Sequence, residues 1–212
     1  WNGLMIASFA YGASTLDEPR YLEAARRAAD FVLEHVRQDG GLLRRYRDGE
    51  ARYPGTLEDY AFFLYGLLEL YEAGFDPRDL EQAKGLAQHM IERFWDAQGG
   101  GFFLRDQAQE PLIVSSKEAY DGATPSGNSM AALVLLRLGR LIADERFEDI
   151  GRRTLERFSQ TVTQTPFGYP QLLIAWDFAL GPTQEIVIAG EPASPETIQM
   201  LRTIHQRFLP RA

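Results

Sequence analysis

Apolar residues recur along this chain in two alternating styles. In the segments that begin near positions 20 and 78 they fall at i, i+3, i+4 and i+7: Leu22, Ala25, Ala29, Val32, Leu33 and Val36, then Leu80, Ala83, Ala87, Met90, Ile91 and Phe94. That spacing puts one buried stripe on an otherwise polar helix. The segments just upstream differ. Leu4-Met-Ile-Ala-Ser-Phe-Ala-Tyr, Phe62-Phe-Leu-Tyr-Gly-Leu-Leu-Glu-Leu-Tyr and Met130-Ala-Ala-Leu-Val-Leu-Leu-Arg-Leu are apolar over most of a helical circumference, as befits helices buried on all sides. The unit is an inner helix, a tight turn and an outer helix. A further inner helix is expected from Tyr169-Pro-Gln through Leu172-Leu-Ile-Ala-Trp-Asp-Phe-Ala-Leu180, stopped by Gly181-Pro182.

The units share a marker. Arg20, Arg78 and Arg146 each follow a residue at an inner-helix tip, Asn2, Tyr60 or Asn128, by 18 positions, although the arginines themselves are 58 and then 68 residues apart. Asp17, Asp76 and Asp144 lie at the breaks, where a carboxylate caps an outer helix by accepting from its orphan N–H groups, and Pro19 and Pro77 suit a first turn that needs no donor. The fold class expected is mainly α: repeated helical hairpins forming part of an α/α toroid, with short β-ribbons in the loops and a small C-terminal β-α piece. Residues 1–181 would form a partial toroid of about three and a half hairpins, and residues 182–212 a strand-helix extension.

The loops carry their own signals. Asp48-Gly49 between two short runs predicts a hairpin, because a type I′ turn needs positive φ at both central residues. Gly99-Gly-Gly-Phe-Phe-Leu followed by Pro111-Leu-Ile-Val suggests a second ribbon. The third inner helix is approached by Lys117-Glu-Ala-Tyr-Asp-Gly-Ala-Thr-Pro-Ser-Gly-Asn-Ser129, in which Thr124 reads as N-cap and Pro125 as the first helical residue. Residues 185–189 read as a strand without an obvious partner, and Ser194-Pro195 as the cap and first residue of a last helix.

With 45% hydrophobic and 25% charged residues over 212 positions, the chain has the composition of an ordinary globular protein. A net charge of −8, with basic residues spread over outer helices, disfavours nucleic acid as a partner. The apolar runs are far shorter than the ~20 residues a bilayer requires, so no membrane partner is expected. No signal segment precedes Trp1, and the absence of an initiator Met leads to the expectation of a longer polypeptide, in the cytoplasm. There is no cysteine, hence no thiol chemistry in these residues. His35, His89 and His205 fall on outer or terminal helices without metal-ligand spacing, and residues 99–101 lack the Lys and Ser/Thr of a phosphate loop. No metal and no cofactor are expected.

Parallel inner helices open their N-termini at one mouth, where their dipoles favour anions and developing negative charge. The residues gathered there are Trp1, Asn2, Glu58, Asp59, Tyr60, Asn128, Tyr169 and Gln171, with Lys117, Glu118, Tyr120 and Asp121 from the long loop. Aromatic faces cover the C–H faces of a sugar ring, and amides and carboxylates match its hydroxyls. Glu58, Asp59 and Asp121 are the candidate acid/base residues; the others are candidate sugar contacts. Plainer roles compete: Thr56-x-x-Asp59 is capping-box-like, Asp121-Gly122 fits an Asx turn, and Tyr60 fits a core or wall position.

Taken together, Trp1-Asn-Gly-Leu-Met, Tyr46-Arg-Asp-Gly, Leu57-Glu-Asp-Tyr-Ala, Gly99-Gly-Gly-Phe-Phe, Phe178-Ala-Leu-Gly-Pro and the 117–129 loop resemble the YyaL-type thioredoxin-domain-containing proteins, the family of spermatogenesis-associated protein 20. The resemblance implies a thioredoxin-like domain upstream in the same polypeptide, a six-hairpin toroid akin to those of N-acylglucosamine 2-epimerase and related glycosidases, and a small terminal α/β piece. It implies a carbohydrate-binding or carbohydrate-processing domain, with glycosidase-like or sugar-isomerising acid/base chemistry if it is an enzyme. The alternative is a non-catalytic scaffold that presents protein clients to the thioredoxin-like domain. Two such chains hold enough hairpins for a ring, so a homodimer is an expectation of the same reading.

Overall fold

The structure is a computed structural model, and it describes residues 1–106 and 116–211. Four inner helices, α1 (Asn2–Leu16), α3 (Leu57–Gly74), α5 (Gly127–Leu141) and α7 (Pro170–Leu180), alternate with three outer ones, α2 (Pro19–His35), α4 (Pro77–Phe94) and α6 (Glu145–Gln164). Each inner helix packs on the next, α1 on α3, α3 on α5 and α5 on α7, and each outer helix lies against the inner helix before it. The result is one arc of an α/α toroid.

The burial follows the two apolar styles. Helix α3 buries Leu57, Phe62, Phe63, Leu64, Leu67, Leu68 and Leu70, and α5 buries an unbroken run from Gly127 to Leu136. Outer helices bury one stripe each, full in α4 (Ala83, Leu86, Ala87, Met90, Ile91, Phe94) and thin in α2, where only Ala25 and Ala29 are fully covered. Helix α2 stands at one end of the arc, so one of its flanks has no described neighbour.

The 18-residue echo has a local cause. Arg20, Arg78 and Arg146 are each the second residue of an outer helix, and the cap carboxylate accepts that residue's own N–H, at 3.0 Å in Asp76 and Asp144. In the first unit the cap is Glu18 rather than the expected Asp17. Asp17 has instead a left-handed backbone, φ 52°, and closes α1 by donating its N–H to the Ala13 carbonyl. With two adjacent acidic residues in the turn, the one nearer Pro19 reaches the cap.

Helices α1 and α3 touch backbone to backbone. A Cβ added at Gly3 would lie 2.3 Å from the Phe62 carbonyl oxygen, and one at Gly66 would lie 2.8 Å from the Gly3 carbonyl oxygen. Neither obstacle is a movable side-chain end, so a methyl group forces the helices apart. Gly3→Ala is expected to cost about 2 kcal/mol, within the usual range for overpacking; a urea unfolding midpoint equal to that of the parent chain would rule this out.

Buried charge ties neighbouring helices. Arg26 of α2 makes a two-pronged pair with Asp79 of α4. Arg137 of α5 reaches both Glu69 and Glu72 of α3, at 2.6 and 2.5 Å.

The expected ribbon forms: β2 (Gly41–Arg47) pairs antiparallel with β3 (Glu50–Pro54), with Arg45 opposite Arg52 and positive φ at Asp48 (53°) and Gly49 (82°). A short β1 (Arg37–Gln38) adds a further strand through a turn at Asp39 and Gly40, both also at positive φ. Of the second proposed ribbon, residues 111–114 lie outside the described residues; its first half contributes the isolated bridge between Trp95 and Phe102.

The C-terminal segment corrects one expectation. Residues 185–189 form no strand, and Ile186 and Val187 are exposed. An extended run without a neighbouring ladder has nothing to pair its backbone, and Gln184 instead donates its N–H to the Arg211 carbonyl at 2.9 Å. Helix α8 (Pro195–His205) does form, with the Ser194 hydroxyl accepting the Thr197 N–H at 3.2 Å. Among the described residues no helix is long and apolar enough to cross a membrane.

Candidate functional site

The loop before α5 is a braced frame. Residues 117–120 alternate, Lys117 and Ala119 turned inward and Glu118 and Tyr120 outward. The Lys117 ammonium lies over the Phe103 ring, donates to the Gly100 carbonyl at 2.7 Å and pairs with Asp96. Asp96 in turn accepts the Gln98 and Gly99 N–H groups, and its carboxyl is held at about 2 by the Gly99 N–H first and Lys117 next. Asn128, buried at the second position of α5, accepts the Phe102 N–H at 2.7 Å and donates to the carbonyls of Phe102 and Glu118 at 2.9 Å.

Asp121 joins two helix ends. One carboxylate oxygen accepts the Ser126 N–H at 2.8 Å, and the other accepts the Gln171 and Leu172 N–H groups at 2.9 and 3.3 Å, in the first turn of α7. Helix α5 begins at Gly127 with Ser126 as its cap, not at Pro125 with Thr124 as its cap; the Asp121 grip on the Ser126 N–H holds residues 122–125 as a loop. Asp59 completes a capping box with Thr56, accepting its N–H at 2.8 Å and its hydroxyl at 3.1 Å.

Tyr60 does not face the mouth. It is the fourth residue of α3, and its buried ring stacks on His89 while its hydroxyl accepts the Leu42 N–H at 2.8 Å, fastening the ribbon to α3 and α4. Trp1 is 82% exposed, and Asn2 beside it is exposed as well. Tyr169 stands edge-on to Tyr120, with ring centroids 6.1 Å apart, and the Gln171 backbone belongs to the Asp121 grip.

Beside this frame lies a cleft of about 210 Å³ lined by Leu57 and Glu58 of α3, Leu104, Glu118, Tyr120 and residues 122–128. Gly127 lets the α3 tip come close: a Cβ there would lie 2.9 Å from Leu57 and 3.3 Å from Glu58. Glu58 is half-buried. Burial pushes its carboxyl above the ordinary range, and the neighbouring Asp59 and Glu118 charges push it further, against Arg44. No hydrogen bond to the Glu58 or Glu118 carboxylate is present among the described residues. Among the described residues no three His, Asp or Glu side chains gather so as to hold a metal ion. Of the residues proposed from sequence, Glu58, Glu118, Tyr120 and Asn128 line this cleft. Ser126, a tip residue by the same reading, lines it too, whereas Leu57, Leu104, residues 122–125 and Gly127 were not proposed as contacts; only the Gly and Pro density of the loop hinted at them.

No protein-family model matches the chain. The rat spermatogenesis-associated protein 20 is 34% identical over 221 residues, which take in 99% of this chain and 28% of that protein. Among solved structures, an α-mannanase from Bacteroides thetaiotaomicron superposes with a TM-score of 0.65, covering 97% of this chain and 55% of its own at 14% identity. A cellobiose 2-epimerase from Bacillus thermoamylovorans gives 0.60, covering 74% and 42% at 19% identity. At these identities the structures establish a shared fold, that of the α/α-toroid glycosidases and epimerases. The chain spans under a third of the rat protein's length, and across 99% of its own residues it is similar to the spermatogenesis-associated protein 20 of rat and human.

Proposed function

We propose that the cleft at the α3 and α5 tips is a carbohydrate site in which Glu58 is the proton donor, Glu118 its partner carboxylate and Tyr120 the face on which a sugar ring rests. One observation carries this reading. The other polar candidates beside the cleft spend their hydrogen bonds on the frame, whereas these two carboxylates open into the cleft with none. A carboxyl raised by burial and by like charge is suited to protonate a leaving or ring oxygen. The fold shared with a mannanase and an epimerase supports sugar as the ligand class.

A second reading has its own observation. Lys117, Asp121 and Asn128 brace the loop as a packed unit, which suits a scaffold serving an upstream thioredoxin-like domain. Thermal shift of the chain with mono- and disaccharides separates the two. A sugar at 100 times its Kd adds about 2.7 kcal/mol, a rise in Tm of roughly 5–10 °C for a domain of this size, and Tyr120→Ala abolishes it. If no sugar in the panel moves Tm, the scaffold reading stands.

Glu58 has a stability signature with a definite sign. Its folded-state carboxyl lies above the ordinary 4.5, so its contribution to stability is fully present below that value and is lost as pH rises through the raised one. Glu58→Gln is therefore expected to raise Tm at about pH 7 and to change it little at about pH 4. Melting curves at both pH values check this; a lower Tm at neutral pH would count against an unpaired, half-buried carboxylate.

A further inference from the structure

The Tyr120 ring stands between the cleft and a short turn. On the cleft side, a Cβ added at Gly122 would lie 4.0 Å from its Cε1; on the other, a Cβ at Gly168 would lie 2.9 Å from its Cε2. The Asp121 N–H donates to the Gly168 carbonyl at 2.8 Å, and Tyr169 meets the Tyr120 ring edge-on. Gly168 ends a single 3₁₀ turn, Pro166–Gly168, between α6 and α7. The turn is stiff. Its Gly168 N–H donates to the Thr165 carbonyl at 3.2 Å and the Tyr169 N–H to the Pro166 carbonyl at 3.1 Å, while proline fixes one φ. At its tip Phe167 is 96% exposed. A ring so exposed buries almost no apolar area and contributes little to folding, yet the turn holds it one residue from the backbone that braces Tyr120.

The cleft, at about 210 Å³, is smaller than the ~300 Å³ at which pockets for larger small molecules begin, which suits one sugar ring and not a chain of them. A ligand with a second ring has to leave it, and the way across Tyr120 runs from Gly122 to the 166–168 turn. We propose that Phe167 is an outer sugar platform and that the ligand is an oligosaccharide, bound with one ring in the cleft and the next on Phe167. This rests on the carbohydrate reading of the cleft. A phenyl face has no hydrogen bonds to be met and covers the C–H face of a pyranose, so Phe167 rewards chain length rather than one pattern of hydroxyls. The stiff turn keeps the ordering cost of that contact small.

Titration calorimetry of the full chain with mannose and mannobiose, and with glucose and cellobiose, tests the proposal. In a pair that binds, the disaccharide is expected to bind about tenfold tighter than its monosaccharide, the equivalent of ~1.4 kcal/mol. Phe167→Ala is expected to bring that ratio to about one, Phe167→Tyr to keep most of it, and Tyr120→Ala to weaken both sugars of the pair. A parent ratio near one, or a tenfold ratio that survives Phe167→Ala, overturns the outer platform and leaves the cleft reading standing. A lowered Tm of ligand-free Phe167→Ala with the ratio intact assigns the ring to packing and likewise overturns it. Binding of none of these sugars removes the cleft reading and the platform together.

Discussion

Arg137→Met is expected to destabilise the chain by about 3–5 kcal/mol, the range for removing one partner of a buried ion pair, and to lower Tm by roughly 10 °C or more. The guanidinium is 13% exposed and lies between Glu69, 8% exposed, and Glu72, with the Tyr65 ring 5.6 Å from its centre. Burial works against the Arg137 cation, and the two carboxylates outweigh it, keeping the charge in place. Burial also drives the Tyr65 hydroxyl up to about 12, with the Glu69 charge adding to it. Without Arg137 two carboxylates on one turn of α3 face each other with no cation between them, Glu69 buried and Glu72 38% exposed. Adding Glu69→Gln and Glu72→Gln to Arg137→Met should recover a substantial part of the loss, since the cost lies in stranded charge rather than in the absent pair. Arg137→Lys is not a conservative change here, because one ammonium cannot serve two carboxylates as a planar fork does. Urea unfolding of the three variants beside the parent chain provides the comparison; a loss below about 1 kcal/mol for Arg137→Met would be the behaviour of a solvated pair.

The second large effect concerns Asp121. Asp121→Ala is expected to cost about 3 kcal/mol, because it strands three N–H groups at the N-termini of α5 and α7, where each buried unpaired donor costs ~1–3 kcal/mol and water recovers part. Asp121→Asn keeps one acceptor and turns an amide NH₂ toward the other donors, so it should recover less than half of that. Both losses appear in thermal unfolding and not as a selective loss of sugar binding per folded molecule. Glu58→Gln is expected to behave in the opposite way, with gained stability and lost chemistry. Should Asp121→Asn leave Tm unchanged while abolishing binding, Asp121 belongs to the cleft and the division between frame and site fails.

The helical hairpins were legible because inner and outer helices differ in the angular spread of their apolar residues, a property of ten or so consecutive positions. The turns were legible wherever one residue type has one geometric use, as at Asp48-Gly49 and at Ser194-Pro195. Asp17 was misassigned because Glu18 beside it is chemically as able to cap. Tyr60 was placed at a tip because the 18-residue echo tracks the second residue of each outer helix, whereas Asn2, Tyr60 and Asn128 are the first, fourth and second residues of theirs. About 100° of helical rotation per residue then turns one of them away. Asp121 and Asn128 drew notice for the density of polar residues around them. Beyond Ser126 and Glu118, their partners Phe102, Gln171 and Leu172 are 26 to 51 positions away, and nothing local reveals whether a carboxylate answers to a ligand or to a distant N–H.

The frame around the cleft grips main-chain atoms. Asn128 holds the backbone of Phe102 and Glu118, Ser129 donates to the Ala119 carbonyl, and Asp121 holds the backbone of Ser126, Gln171 and Leu172. Peptide groups are the same whatever side chain they carry. The side chains at 118 and 120 can therefore be exchanged with little penalty to folding, and a descendant sequence could alter what the cleft selects in a few steps while inheriting its architecture intact.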